Sequence, residues 1–161
     1  MVTWGVDLGV RSATLAGIGP GDRFELLSIG RPTPKGKISD QGPHERWVEL
    51  AQLARTIHDL VHPGDFVYLE EPPVAGARNL RTYGKLSMAA GAVTSASQAP
   101  VILVPVDTWK MAVLGKGGLS KDEVSRRLCA LHPKYSLLCD NDQNRVDATC
   151  LALYGLKCEA T

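Results

Sequence analysis

The chain has 161 residues, 44% of them hydrophobic and 22% charged, with 18 lysines and arginines against 17 aspartates and glutamates. That is the size and balance of one globular domain, residues 1–161, able to bury a continuous core without disulfide or metal staples. No apolar run approaches the roughly 20 residues that span a bilayer, Met1 leads at once into strand-like sequence rather than a basic and apolar leader, and a near-neutral charge neither demands nor excludes nucleic acid, whose phosphates need only a local basic surface.

Val2 to Val10 and Ser12 to Ile18 are β-branched and apolar runs separated only by Arg11, and Arg23 to Ile29 follows the turn Gly19-Pro20-Gly21-Asp22. Three such runs in succession predict an antiparallel meander. Gly30 to Pro43 carries Arg31, Lys35 and Lys37 among prolines, a long basic loop. His44 to Val61 sets Trp47, Leu50, Leu53, Ala54, Ile57 and Val61 at helical spacing, so an amphipathic helix ends at Pro63-Gly64. Phe66-Val67-Tyr68-Leu69 is a short strand running into Glu70-Glu71-Pro72-Pro73, where the prolines deny further ladder donors. The Gly-, Ala- and Ser-rich stretch Asn79 to Gln98 predicts a helix lying close against a neighbour. Val101 to Val106 is a continuous apolar run, the pattern of a strand buried on both faces of a parallel sheet. After Gly115-Lys116-Gly117-Gly118, Ser120 and Glu123 form a capping box for a helix reaching about His132, and a last helix spans about Gln143 to Leu156. Strands first and then alternating helices and strands place the chain in the α/β class, with a mixed sheet carrying helices on its faces.

Cys129, Cys139, Cys150 and Cys158 include no pair at C-x-x-C spacing and are read as reduced thiols of a cytoplasmic protein, mostly core filler. His58 and His62, four apart on one helix, have no third ligand nearby, and no metal site is assigned to them.

Cleavage of phosphodiesters by metal-activated water needs carboxylates gathered from different elements around ions about 4 Å apart. Asp7 lies in Gly5-Val6-Asp7-Leu8-Gly9, between glycines that let a backbone or a phosphate approach. In a central strand its charge is costly unless metal or a cation pairs it; at a sheet edge it would simply face solvent. Glu70 and Glu71 point to opposite faces of their strand, so one of them can join Asp7, and a solvated strand end is the ordinary reading of Glu71. Asp147 shares a helix face with Asn144 and Leu151 near the positive end of the helix dipole; alone, it could as well cap or solvate the helix.

In order along the chain, Gly5-Val6-Asp7-Leu8-Gly9, Leu69-Glu70-Glu71, Asp107-Thr108-Trp109-Lys110, Leu119-Ser120-Lys121-Asp122-Glu123-Val124 and Val146-Asp147-Ala148 resemble the blocks of RuvC-type Holliday junction resolvases, across nearly the whole length. The first block also opens actin-like ATPases and sugar kinases, but those need a second domain and a further phosphate loop. The resemblance implies a ribonuclease H-like fold: a five-stranded mixed sheet, three antiparallel strands first and then parallel ones, with helices on both faces. It implies a compact resolvase of bacteriophage type, a homodimer presenting two equivalent sites to a four-way DNA junction and making paired nicks with Mg2+, for which Mn2+ would substitute.

Carried over by position, Asp7, Glu70 and Asp147 are metal ligands and catalytic acids, and Lys110 and Lys121 are cations at the scissile phosphate. Each lysine taken singly reads nearly as well as a solvated charge. Arg31, Lys35, Lys37, Arg78, Arg81, Lys85 and Lys116, with Arg126 and Arg127, lie where such DNA would pass, although scattered basic residues are usually plain surface. The implied setting is the cytoplasm of a bacterial cell or phage-infected host, with no membrane partner. Two positions depart from the family pattern. Asn144 stands where a second acid or histidine is usual and offers a neutral oxygen ligand, with Asp142 or Asp140 as substitutes; Pro72-Pro73-Val74 replaces a common aromatic wedge, a role proline can fill. Two other readings stay open: a broader nuclease for forks, flaps and replication intermediates, and a non-catalytic DNA-structure-binding protein motivated by Asn144.

Overall fold

The computed structural model describes residues 1–9, 12–30, 43–72 and 80–160. The expected meander is present as β1 (Thr3–Leu8), β2 (Ser12–Ile18) and β3 (Phe24–Gly30), with Val6 opposite Leu15 and Leu15 opposite Leu27. β4 (Phe66–Glu70) pairs parallel to β1 and β5 (Val101–Val104) parallel to β4, giving the order β3-β2-β1-β4-β5 with β1 at the centre.

Strand alternation sorts the side chains onto two faces. Trp4, Val6, Leu15, Val67 and Leu69 pack with Leu50, Leu53 and Ile57 of α1 (Pro43–Leu60) and with Ala89, Ala90 and Val93 of α2 (Leu80–Ala96). On the other face Ala16, Ile18 and Tyr68 meet Trp109 and Val113 of α3 (Val106–Leu114), Leu128 of α4 (Lys121–Leu131) and Leu151 of α6 (Gln143–Glu159), while α5 (Pro133–Leu138) follows α4. Among the described residues no helix is long and apolar enough to cross a membrane.

Several expectations are corrected. The apolar run from Val101 does not continue as a strand to Val106: Pro105 has no N–H for the ladder, and α3 starts at Val106. Nor is β5 buried on both faces; it is the last strand of the sheet, and Leu103 is 51% exposed. Trp47, assigned to the inward stripe of α1, is 62% exposed, because the inward position of that turn is held by Arg46, which donates to the Lys85 carbonyl of α2 at 2.6 Å. In α2 the close packing belongs to alanines, since a Cβ on Gly84 or Gly91 would meet nothing within 4 Å. Cys139 and Cys150 are core residues, but Cys129 and Cys158 are exposed.

The turn between α1 and β4 is fastened to the start of β1 by Asp65, which is 5% exposed. Its carboxylate accepts from the backbone N–H of Val2 (2.7 Å), the Trp4 indole (3.3 Å) and the His62 N–H (3.1 Å). Asp65→Ala strands these donors and should lower unfolding free energy by about 3 kcal/mol, given about 1–3 kcal/mol per buried group left unpaired. Chemical denaturation measures this; a change under about 1 kcal/mol would show that solvent replaces the carboxylate there.

Candidate active site

Val6 of β1 is in register with Leu69 of β4, and the next residue on each strand is an acid, Asp7 and Glu70. Adjacent parallel strands thus deliver two carboxylates side by side near their C-terminal ends, and alternation turns both toward the face covered by α6. The glycine before them controls how near that helix comes. A Cβ on Gly5 would collide with the Ala148 carbonyl oxygen and stand 2.9 Å from the Leu151 Cβ. Farther along α6, a Cβ on Gly155 would likewise run into Thr3 and Tyr68. The α6 backbone therefore lies directly on β1, and Asp147, the neighbour of Ala148, arrives beside Asp7. The start of α6 is set by Asp142, whose Oδ1 caps the N–H groups of Asn144 (2.9 Å) and Arg145 (3.2 Å).

Three half-buried carboxylates so close oppose one another's ionisation. Asp7 is pushed up to about 7, chiefly by burial and then by the charges of Asp147 and Glu70, with Lys121 pulling the other way. Glu70 is raised mainly by burial and further by Asp147, against the Trp109 hydrogen bond and the charges of Lys110 and Lys121. Asp147 is raised by burial, opposed by the Gln143 hydrogen bond, Lys121 and Lys110. Two neutral donors complete the frame: Trp109 Nε1 to Glu70 Oε2 at 3.1 Å and Gln143 Nε2 to Asp147 Oδ1 at 2.8 Å. Lys110 donates to the Leu119 carbonyl at 3.0 Å, with its Nζ 5.5 Å from the centroid of the Trp109 ring.

No family model matches the sequence, and no curated protein matches it. Solved structures do. Thermus thermophilus RuvC superposes with a TM-score of 0.66 at 23% identity, covering 96% of this chain and 92% of that one. T. thermophilus RuvC in complex with Holliday junction substrate gives 0.65 at 21% identity over the same shares. The yeast mitochondrial Holliday junction resolvase Ydc2 gives 0.58 at 14% identity, covering 98% of this chain and 78% of that one. The fold is ribonuclease H-like.

In this ribonuclease H-like frame Asp7, Glu70, Asp147, Lys110 and Lys121 gather at one place, each acid feeling the Lys121 charge. Among the described residues no three His, Cys, Asp or Glu side chains already surround a single point as metal ligands. The donor set nevertheless fits a hard divalent cation: it is all oxygen, and a cation would offset the burial that raises all three carboxylates and the charges of Asp147 and Glu70 that raise Asp7 further.

Other expected residues are not drawn in. Glu71 is exposed, its backbone N–H bonded to the Val104 carbonyl, and Asp142 is committed to its cap. Asn144 is half-buried one turn before Asp147, and Asp140 is exposed with φ 50°. Lys116 is exposed in the turn after α3, and Lys85 is half-buried on α2. Arg31, Lys35, Lys37 and Arg78 lie outside the described residues, as do Pro73 and Val74 and the Arg81 side chain. Sequence reasoning missed Trp109 and Gln143 as partners of the acids. For Gln143 the signal was present, since it stands four residues before Asp147 on the same helical face.

Proposed function

We propose that this chain is a structure-selective endodeoxyribonuclease that resolves four-way DNA junctions by metal-dependent phosphodiester hydrolysis, residues 1–161 acting as one nuclease domain of a homodimer. The observation that carries the reading is the convergence of Asp7, Glu70 and Asp147 from β1, β4 and α6, with Lys110 and Lys121 beside them, on a fold shared with RuvC. Asp7, Glu70 and Asp147 hold Mg2+, or Mn2+ in its place, and Asn144 adds a neutral oxygen. When bound, the metal supplies Lewis-acid polarisation of the phosphate and an activated water. Lys110 and Lys121 offset charge developing on the phosphate oxygens. Lys110 is the more firmly placed, through the Leu119 carbonyl.

Arg31, Lys35, Lys37, Arg78, Arg81, Lys85 and Lys116 supply backbone contacts that orient the branched DNA. The homodimer matches the two-fold character of a junction. It has apolar surface to use: Leu80, Tyr83 and Met88 are exposed on one side of α2, beside the open Gly84 and Gly91. The protein acts on DNA in the cytoplasm.

The test is cleavage of end-labelled four-way junction, fork, flap and linear duplex by wild type and Glu70→Gln, with Mg2+, Mn2+ or EDTA. The expected result is symmetric nicking of the junction with either metal, none in EDTA, and a loss in Glu70→Gln beyond the roughly 100-fold that outer-shell changes cost. Equal cutting of forks and flaps would replace this reading with a broader branched-DNA nuclease. Junction binding without cutting under any metal would make the chain a structure-binding protein.

A further inference from the structure

We propose that Trp109 is a positioning residue for Glu70, its buried indole N–H fixing one carboxylate oxygen so that the other is presented to the divalent cation. The inference rests on the metal role proposed for Glu70 and adds a residue that acts through it.

The geometry comes from strand register. Glu70 is paired with Val104, the last residue of β5, and α3 begins two residues later at Val106. The first turn of α3 is folded back by the N–H groups of Thr108 and Trp109, both donating to the Pro105 carbonyl. The indole is thereby brought over the end of β4, and Nε1 donates to Glu70 Oε2 at 3.1 Å. Glu70 needs such a partner. It is the last residue of its strand, its side chain turns about three torsions, and an unguided carboxylate there would sample several rotamers.

Trp109 suits the task. It is 0% exposed and packed in the core formed by α3, α4 and α6, so the ring cannot swing away without opening that core. An indole nitrogen donates and never accepts, so it engages carboxylate oxygen and cannot be satisfied by a reversed arrangement. One oxygen is then occupied, and the vector of the other is set by a rigid aromatic rather than by a flexible chain. The same ring lies 5.5 Å from Lys110 Nζ, so the side chain that holds the carboxylate also lies against the cation proposed for the phosphate. Outer groups that orient metal ligands commonly change affinity by about 10- to 100-fold when removed.

The three tryptophans make the test direct. Trp4 donates its indole N–H to Asp65, and Trp47 is 62% exposed, so the three indole N–H resonances report on three separate places. In 15N-labelled full-length protein titrated with Mg2+, the Trp109 indole resonance should shift while those of Trp4 and Trp47 stay still. Peaks are assigned by their loss in the single Trp→Phe variants. Trp109→Phe keeps an aromatic ring in the core and removes only the donor and part of the ring. Its Mg2+ affinity, read by calorimetric titration, should fall about tenfold. Junction cleavage should recover at correspondingly higher Mg2+, with junction binding in EDTA unchanged.

A purely structural tryptophan behaves differently. Its loss lowers the metal-free melting temperature but leaves the Mg2+ midpoints of binding and cleavage where they were. That outcome, with a stationary Trp109 resonance in wild type, overturns the proposal and leaves the nuclease reading standing. Wild type that takes up no Mg2+ and cuts nothing removes both. Should Trp109→Phe fail to fold, the wild-type spectrum decides alone, assigned through the other two variants: a resonance unmoved by saturating Mg2+ overturns the proposal.

Discussion

Asp7→Asn is expected to abolish metal-dependent junction cleavage and, in the same protein without metal, to raise stability at pH 8. The two effects have one origin. Asp7 stands on the central strand among Asp147 and Glu70, and burial and those charges hold its carboxyl up to about 7, against an ordinary value of 3.8. Between pH of about 4 and 7 the folded chain therefore binds a proton that the unfolded chain has released, so stability falls as pH rises through that window and reaches its floor above it. At about 1.36 kcal/mol per pH unit the whole penalty is on the order of 4 kcal/mol as an upper bound. Asparagine has nearly the same shape and carries no charge. The variant should gain about 1–3 kcal/mol over wild type at pH 8 and nothing below pH of about 4.

Metal reverses the comparison at pH 8. Millimolar Mg2+ should raise the melting temperature of wild type, because it binds only the folded cluster, and should leave Asp7→Asn nearly unmoved. Thermal unfolding at pH 4 and pH 8, with Mg2+ and with EDTA, reads all of this. A variant no more stable than wild type at pH 8 without metal would sink the account of Asp7 as a charge penalised by burial and by the neighbouring acids. Unimpaired cleavage would remove it from the metal site.

The acids were legible because their positions depend on local rules. A strand end places Asp7 or Glu70 on one face by alternation, and the order strand, strand, helix limits how the three can meet. Their partners depend on something no local pattern encodes. Trp109 reaches Glu70 only because β5 stops at Val104 and α3 turns back at once, whereas an apolar run through Val106 has the period of a buried strand. The helix start carries Pro105 instead of a Ser, Thr, Asp or Asn cap, so the usual punctuation is missing. Trp47 failed for a related reason. Hydrophobic spacing cannot foresee that an arginine, tied to the Lys85 carbonyl of another helix, will occupy the inward position of the turn and rotate the tryptophan into solvent. The glycine beside Asp7 was read correctly as a place of close approach, but only packing shows that the approaching backbone belongs to α6.

Gly5→Ala is expected to turn this close approach into a large loss of stability and of metal affinity. A methyl group on Gly5 would overlap the carbonyl oxygen of Ala148 and press on the Leu151 Cβ, which it would approach to 2.9 Å. Both belong to helix backbone or its first side-chain atom, so no flexible end can move aside. Either α6 lifts from the sheet or β1 bends. Lifting α6 opens the core that Val146, Ala148, Leu151 and Ala152 share with Ala16 and Tyr68. It also carries Asp147 away from Asp7 and Glu70. Overpacking of this kind costs about 1–3 kcal/mol and more where the contact is with backbone, so a loss of about 3 kcal/mol or greater is expected. Gly155→Ala clashes with Thr3 and the Tyr68 ring, nearer the far end of the helix. It should destabilise comparably but shift Asp147 less. Comparing Mg2+ affinity in the folded fraction of each variant separates stability from site geometry. Affinity should fall well below wild type in Gly5→Ala and stay close to it in Gly155→Ala. Equal affinities would mean that the helix tilts as a rigid body about some other contact, and that the glycine of β1 serves packing alone.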